Sequence, residues 1–174
     1  AKVASLFYPE ADYPKFSFDT IDCNKSLSKS VKLSSNVFIH KSASIGDNCE
    51  IGCNSIIGPG VKIGENTKIH SHVNIIGNTT IGKNNEIFPF VSIGTNPQDL
   101  KYKGESNSII IGDNNKLREY VNINPGTKAG GTITRLGNNN LLMVYCHIAH
   151  DCNLGNNIVL ANNVQVGGHV TIED

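Results

Sequence analysis

The stretch Leu33-Ser-Ser-Asn-Val-Phe-Ile-His-Lys-Ser-Ala-Ser-Ile-Gly-Asp-Asn-Cys-Glu-Ile-Gly-Cys-Asn-Ser-Ile-Ile-Gly58 places a large aliphatic residue at every sixth position, and the spacing continues to Ile93. A period of six matches neither an amphipathic helix, near about 3.6, nor a two-faced strand of period about 2 sustained over sixty residues. It marks a repeat, and each repeat is read as one short strand and one corner.

The strand is visible two residues before each rung, where small or β-branched side chains recur, as at Val37, Ala43, Cys49, Ser55, Val61, Thr67, Val73, Thr79 and Val91. Positions two apart share one face of a strand, so these side chains and the rungs both point inward. The corner is visible three residues after each rung, usually Asn or Gly, as at Asn48, Asn54, Gly60, Asn66, Asn78 and Asn84. These residues accept positive φ at least cost. Three hexads close an eighteen-residue triangular coil, and stacked coils pair as parallel strands. The fold class is therefore all-β, a parallel β-helix.

The ladder resumes at Ile111, Leu117 and Ile123, and again from Leu136 through Leu142, Ile148, Leu154, Leu160, Val166 and Ile172, which gives twenty-one rungs in seven coils. Asp99 and Glu105 stand where rungs are due, so twelve extra residues leave the prism as a loop near 95–108. Seven more leave near 124–135, a segment that contains Pro125-Gly126 and Gly130-Gly131. Loops thrown out of a rigid scaffold are disproportionately functional. The β-helix domain is assigned to 31–174 and a capping segment to 1–30, where the hexad period is absent. Only Glu173 and Asp174 follow the last rung, and residue 1 is Ala1. A segment of a longer chain, or an upper edge covered by another chain, is the expectation.

Acidic and basic residues are equal in number, fifteen each, which lacks the electrostatic footprint of a nucleic-acid binder. No apolar run approaches a membrane span, and Ala1–Glu10 lacks the pattern of a signal peptide, so a cytoplasmic location is expected. The five cysteines, Cys23, Cys49, Cys53, Cys146 and Cys152, are an odd set without paired metal-site spacing. Cys49, Cys146 and Cys152 occupy the inward position, where a thiol serves as a compact apolar residue.

The chemistry-bearing residues collect late in the chain. Rung Ile148 places His150 and Asp151 two and three positions on, at an exposed corner, with His147 pointing outward just before the rung. One coil later Val166 places Gly168 and His169 at the same two positions, so Gly168 is expected directly above His150. A base that titrates near neutrality beside a backbone N–H suits acyl transfer. Asp151 is placed to orient the imidazole. A corner histidine is ordinarily just a solvated side chain, and His40, His70 and His72 keep that reading. The company of His147, Asp151, Gly168 and His169 distinguishes His150. A histidine cluster also raises zinc at His147 and His150, but the spacing of a zinc site is lacking, and no metal is assigned.

Ile/Leu-Gly followed by four variable residues resembles the hexapeptide repeat of acyltransferases that fold as left-handed parallel β-helices, and the handedness is taken from that likeness. From about Ser71 onward the motifs Asn96-Pro-Gln-Asp-Leu-Lys-Tyr102, Asn140-Leu-Leu-Met143, His147-Ile-Ala-His-Asp-Cys152, Leu160-Ala-Asn-Asn163 and Gly167-Gly-His-Val170 resemble the acyl-carrier-protein:UDP-N-acetylglucosamine O-acyltransferases. The segment Lys2–Pro9 looks more like the UDP-3-O-acylglucosamine N-acyltransferases.

This resemblance implies a bacterial enzyme of lipid A synthesis. It would move a 3-hydroxyacyl group from acyl carrier protein to the glucosamine 3-hydroxyl of UDP-N-acetylglucosamine, with no cofactor beyond the thioester donor. It implies His150 as general base and Gly168 as oxyanion donor. Asp99 and Lys101 would lie on the acyl chain and its pantetheine arm, with Gln98 in the same substrate-binding motif, and His147 and His169 would line the sugar site. It further implies a homotrimer in which the Asp99 loop of one chain meets His150 of another. Asn124, where many members have histidine, leaves a hydroxyl or an amino acceptor open. Two other readings stay open: a scaffold fragment that forms the trimer without turnover, and the related N-acyltransferase.

Overall fold

The structure is a computed structural model that describes residues 27–174. The likeness read at Lys2–Pro9, Cys23 and nearly all of the capping segment lie outside the described residues.

Every rung from Leu33 to Ile172 lies in a strand, and the strands form three parallel sheets of seven. Most strands are two residues long, as in Lys68–Ile69, because a corner every six residues leaves no room for more. Consecutive strands of one coil go to three different sheets, so each strand pairs with the one three strands later: Leu33 with Ile51, Ile39 with Ile57, Ile45 with Ile63. The arrangement is a triangular parallel β-helix. The excursions leave this register intact. Ile81 pairs with Ile111 and Ile93 with Ile123, thirty residues on instead of eighteen, and Ile123 pairs with Ile148, twenty-five on.

The rungs fill the prism. None from Ile51 to Val166 is more than 7% exposed, and the inward thiols of Cys49, Cys146 and Cys152 are buried and free. Burial pushes all three thiols up, away from thiolate. Each Sγ–H donates to the carbonyl of a corner glycine or alanine in the coil above, at 3.1 to 3.2 Å.

One interior column is more polar than the hexad pattern announces. Above Cys49 and Thr67 lie Asn85, Asn115 and Asn140, each at most 2% exposed. The N–H of Asn115 donates to Oδ1 of Asn85 at 2.8 Å, that of Asn140 to Asn115 at 2.9 Å and that of Ile158 to Asn140 at 2.7 Å. Their Nδ2 groups satisfy the carbonyls of Gly112, Gly137 and Gly155 at 2.9 to 3.0 Å. A buried amide is stable when both its ends are bonded, and this ladder meets that condition.

Corner residues take positive φ, most of them Asn as expected. On the corner that precedes the second sheet the chain instead uses aromatic rings. His72, Phe90, Tyr120 and Tyr145, at φ between 59° and 64°, stack in one external column with centroids 4.6 to 5.1 Å apart. The left-handed region costs an ordinary side chain about 1–2 kcal/mol. Each stacked pair returns about 0.5–1.5 kcal/mol, so a continuous column offsets part of the strain.

Both excursions start where the second sheet ends, after Ile93 and Ile123, and re-enter the third sheet at Ser108–Ile111 and Ile133–Leu136. They therefore project from one prism edge. His150 follows Ile148 of the same second sheet and lies on that edge one coil further along.

Candidate active site

The coil period places the groups. His147 pairs with Gln165 and Ile148 with Val166, which sets Gly168 above His150. The two coils are tied at the corner by the His169 N–H, which donates to the His150 carbonyl at 3.0 Å. A methyl group at Gly168 would stand 2.6 Å from Cε1 and 2.7 Å from Nε2 of His150, well inside van der Waals contact. Only glycine lets the imidazole lie against this backbone. The Gly168 N–H donates to no group among the described residues and is free to meet a ligand.

His150 Nδ1 lies 2.9 Å from Oδ2 of Asp151. A carboxylate accepts only, so Nδ1 carries the proton and the lone pair is on Nε2, beside Gly168. Asp151 itself sits at φ 60°, and its N–H donates to the Thr134 hydroxyl at 2.9 Å. The expectation of an exposed corner is corrected here. The second excursion folds over it, and the Asp151 side chain is 0% exposed while that of His150 keeps 15%. Thr127 donates its N–H and its hydroxyl to the carboxylate, at 2.7 to 3.0 Å. A side chain at Gly126 or Gly130 would collide with Asp151, so the Pro-Gly and Gly-Gly signals of this loop reflect its close approach. Burial opposes the charge of Asp151, but the hydrogen bonds from Thr127 and His150 outweigh it and hold the carboxyl below its ordinary range.

The other sequence-selected residues divide into two groups. His169 stands edge-on to His150, ring centroids 5.0 Å apart, with Nδ1 3.9 Å from Asp151. His147 lies on the outward face of the second sheet beside Asn122, and burial lowers its pKa by disfavouring the imidazolium. Asn124 is buried: its Nδ2 donates to the carbonyl and hydroxyl of Thr95 at 3.2 and 3.3 Å, and its Oδ1 has no partner. Asp99 and Lys101 line an open pocket of about 600 Å³ together with Lys103, Gly104, Glu105, Thr127, Lys128 and Ala129. Gln98 is exposed on the same loop and outside that lining. Neither Asp99 nor Lys101 bonds to the His150 group within the described chain; Thr127 joins pocket and histidine by lining one and binding Asp151.

His150, Asp151 and His169 lie close enough to share a cation, within 4.8 Å of one another. The histidine pair considered for zinc, His147 with His150, is not this group. Oδ2 of Asp151 already accepts hydrogen bonds from Thr127 and from His150, so the carboxylate is engaged by its neighbours rather than presented as a ligand. Thr127 and Thr134 escape a reading of the sequence, because nothing in the hexad spacing says where an inserted loop returns.

The corner and the coils define the class, a left-handed parallel β-helix of hexapeptide repeats with a histidine site on one edge. The family described as bacterial transferase hexapeptide (six repeats) matches residues 30–64. Within that class the chain is similar to UDP-N-acetylglucosamine acyltransferases, as its motifs imply. It is 50% identical to LpxA from Acinetobacter baumannii over 80% of this chain and 54% of that one, with a TM-score of 0.79. It is 48% identical to the Francisella novicida UDP-N-acetylglucosamine acyltransferase over 82% and 52% of the two chains, with a TM-score of 0.80. An acyl-[acyl-carrier-protein]--UDP-N-acetylglucosamine O-acyltransferase of Sinorhizobium fredii is 60% identical over 52 residues, 30% of this chain and 19% of the relative. The chain thus spans about half the length of these solved relatives.

Proposed function

We propose that the chain catalyses transfer of a 3-hydroxyacyl group from acyl carrier protein to the glucosamine 3-hydroxyl of UDP-N-acetylglucosamine, the first step of lipid A synthesis, in the bacterial cytoplasm. The observation that carries this reading is His150, fixed at Nδ1 by Asp151 and packed at Nε2 against Gly168. Nε2 removes the hydroxyl proton as the oxygen attacks the thioester carbon. The tetrahedral oxyanion faces the Gly168 N–H. On collapse the carbon–sulfur bond breaks and the imidazolium returns its proton to the leaving thiolate. A positioned base contributes about 10²- to 10⁴-fold and one oxyanion donor about 10²- to 10³-fold. The thioester supplies the activated acyl group, so the chemistry calls for no further cofactor.

The active assembly in this reading is a homotrimer. The outward face of the second sheet, Phe38, Ile56, Asn74, Ser92, Asn122, His147 and Gln165, carries no acidic or basic side chain apart from the histidine. The aromatic column borders it on one edge and the His150 corner on the other. A neighbouring copy on this face would bring its own excursions, with Asp99, Lys101 and Gln98, to His150. His147 and His169 would then line the sugar and Asn124 would offer its unpartnered Oδ1 to an acceptor N–H or O–H.

The test is acyl transfer by the whole chain and by His150→Ala, with size measured for both. Loss of at least about 100-fold in turnover with an unchanged trimer is expected. Equal turnover in the variant would refute the mechanism, and a trimer that transfers nothing would leave the scaffold reading.

A further inference from the structure

Glu105 stands in the sequence where the ladder calls for a rung, and a carboxylate cannot enter an apolar prism without partners. In the first excursion both its oxygens are taken by main chain instead. Oε2 accepts the Lys103 N–H at 2.8 Å, a bond within the excursion, and Oε1 accepts the Lys128 N–H at 3.0 Å, a bond that crosses to the second excursion. These donors hold the Glu105 carboxyl below its ordinary range, so it is charged at neutral pH.

The crossing bond lands on one short turn. Lys128–Gly130 form a single 3-10 turn led by Thr127, whose carbonyl accepts the N–H of Gly130 at 3.1 Å and of Thr132 at 2.8 Å. Two successive N–H groups at the start of this turn go to two carboxylates: that of Thr127 to Asp151, and that of Lys128 to Glu105. None of Lys128, Ala129 and Gly130 is buried, so apolar packing does not hold the turn in place. Hydrogen bonds do, and those to a carboxylate are about twice as strong as neutral ones.

We propose that Glu105 is a positioning residue for acyl transfer: it holds the turn through the Lys128 N–H, the turn holds Asp151 through Thr127, and Asp151 holds the imidazole of His150. This deepens, and rests on, the acyltransferase reading. Glu105 makes no bond to Asp151 or His150 itself, so it acts only through the second excursion. The first excursion therefore does more than carry Asp99 and Lys101. It sets the alignment of the base on its own chain.

The experiment compares the whole chain with Glu105→Ala, Glu105→Gln, Thr127→Val and the E105A/T127V double variant, by saturation kinetics and by nuclear magnetic resonance of the His150 ring. Glu105 lies outside the core, and circular dichroism reports whether the coils persist. The kcat of Glu105→Ala should fall about tenfold with KM for donor and acceptor unchanged, and Glu105→Gln, which keeps one acceptor oxygen, should fall less. The double variant should lose no more than about tenfold, because both residues act through one carboxylate, whereas independent effects would multiply to about a hundredfold. The Nδ1–H signal of His150 should shift and exchange faster with water in Glu105→Ala. A KM for the donor raised at unchanged kcat would assign Glu105 to donor binding and overturn the proposal, as would a hundredfold loss in the double variant or an unmoved signal. The signal also keeps the two readings apart. A chain that transfers no acyl group but whose His150 signal moves in Glu105→Ala refutes the acyltransferase and leaves the positioning role; an active chain whose kcat and signal ignore Glu105 refutes the positioning role alone.

Discussion

Thr127 and Asp151 are joined by three hydrogen bonds: the Thr127 N–H reaches both carboxylate oxygens, at 2.9 and 3.0 Å, and its hydroxyl donates at 2.7 Å. The carboxylate that fixes the histidine is thus itself fixed by an inserted loop, and the orientation of the base depends on that loop as much as on the coils. Thr127→Val keeps the shape and the N–H but removes the hydroxyl. A hydrogen bond to a charged group is worth about 1.5–3 kcal/mol, so thermal denaturation should show a loss within that range. Turnover should fall about tenfold with KM for the acceptor unchanged, because Thr127 acts through Asp151. Unaltered kcat would show that the loop does not position the base.

Gly168→Ala tests the contact between coils. The backbone N–H survives, so any lost activity comes from the methyl group, which would stand 2.6 Å from the imidazole. The ring must turn away, breaking its alignment with Asp151, and a displacement of this size at a reacting group costs about 100-fold. Stability should change little, since the corner φ of Gly168 is one any residue accepts and the ring borders solvent. Full activity in the alanine variant would mean that His150 works from another position.

His147 gives a pH signature. Burial lowers its folded pKa below the unfolded value of about 6.5, so the native chain binds fewer protons than the unfolded one. Its contribution is fully present above the unfolded value and is lost as pH falls through the folded one. His147→Gln, neutral at every pH, should be less destabilised by acid over that window than the unaltered chain. Urea unfolding at pH 7.5 and 5.5 compares the two. Nuclear magnetic resonance of the His147 ring should show a midpoint below the ordinary histidine value; a midpoint at or above it contradicts the burial argument.

How much of this was written in the chain follows from what a period can encode. Ile69 and Ile87 are eighteen residues apart and paired, so the repeat is the fold. The stacking of Gly168 on His150 follows from the same arithmetic. The burial of Asp151 does not, because the seven inserted residues obey no period and their return over the corner is decided by Gly126, Gly130 and Thr127 in three dimensions. Nor does the period reveal Asn85, Asn115 and Asn140. An inward asparagine looks like an error in a hydrophobic column until its partners, a corner carbonyl and the next amide, are seen to lie one coil away.

That amide ladder yields the last prediction. Asn115 is 0% exposed, accepts the Asn140 N–H at 2.9 Å and donates Nδ2 to the Gly137 carbonyl at 2.9 Å. Asn115→Leu has similar bulk but strands both partners inside the prism. Each stranded group costs about 1–3 kcal/mol, whereas the leucine gains about 1.5–3 kcal/mol of burial, so a net loss of up to about 4 kcal/mol is expected. Thr67→Val should lose less, because the Thr67 hydroxyl donates once, to the Gly82 carbonyl at 3.1 Å, and accepts the Asn85 N–H only at 3.3 Å. Denaturant unfolding of the two variants should place Asn115→Leu clearly below Thr67→Val. The opposite order would mean that these asparagines fill space in the interior without holding the coils together, and that apolar stacking of the rungs alone sets the stability of the prism.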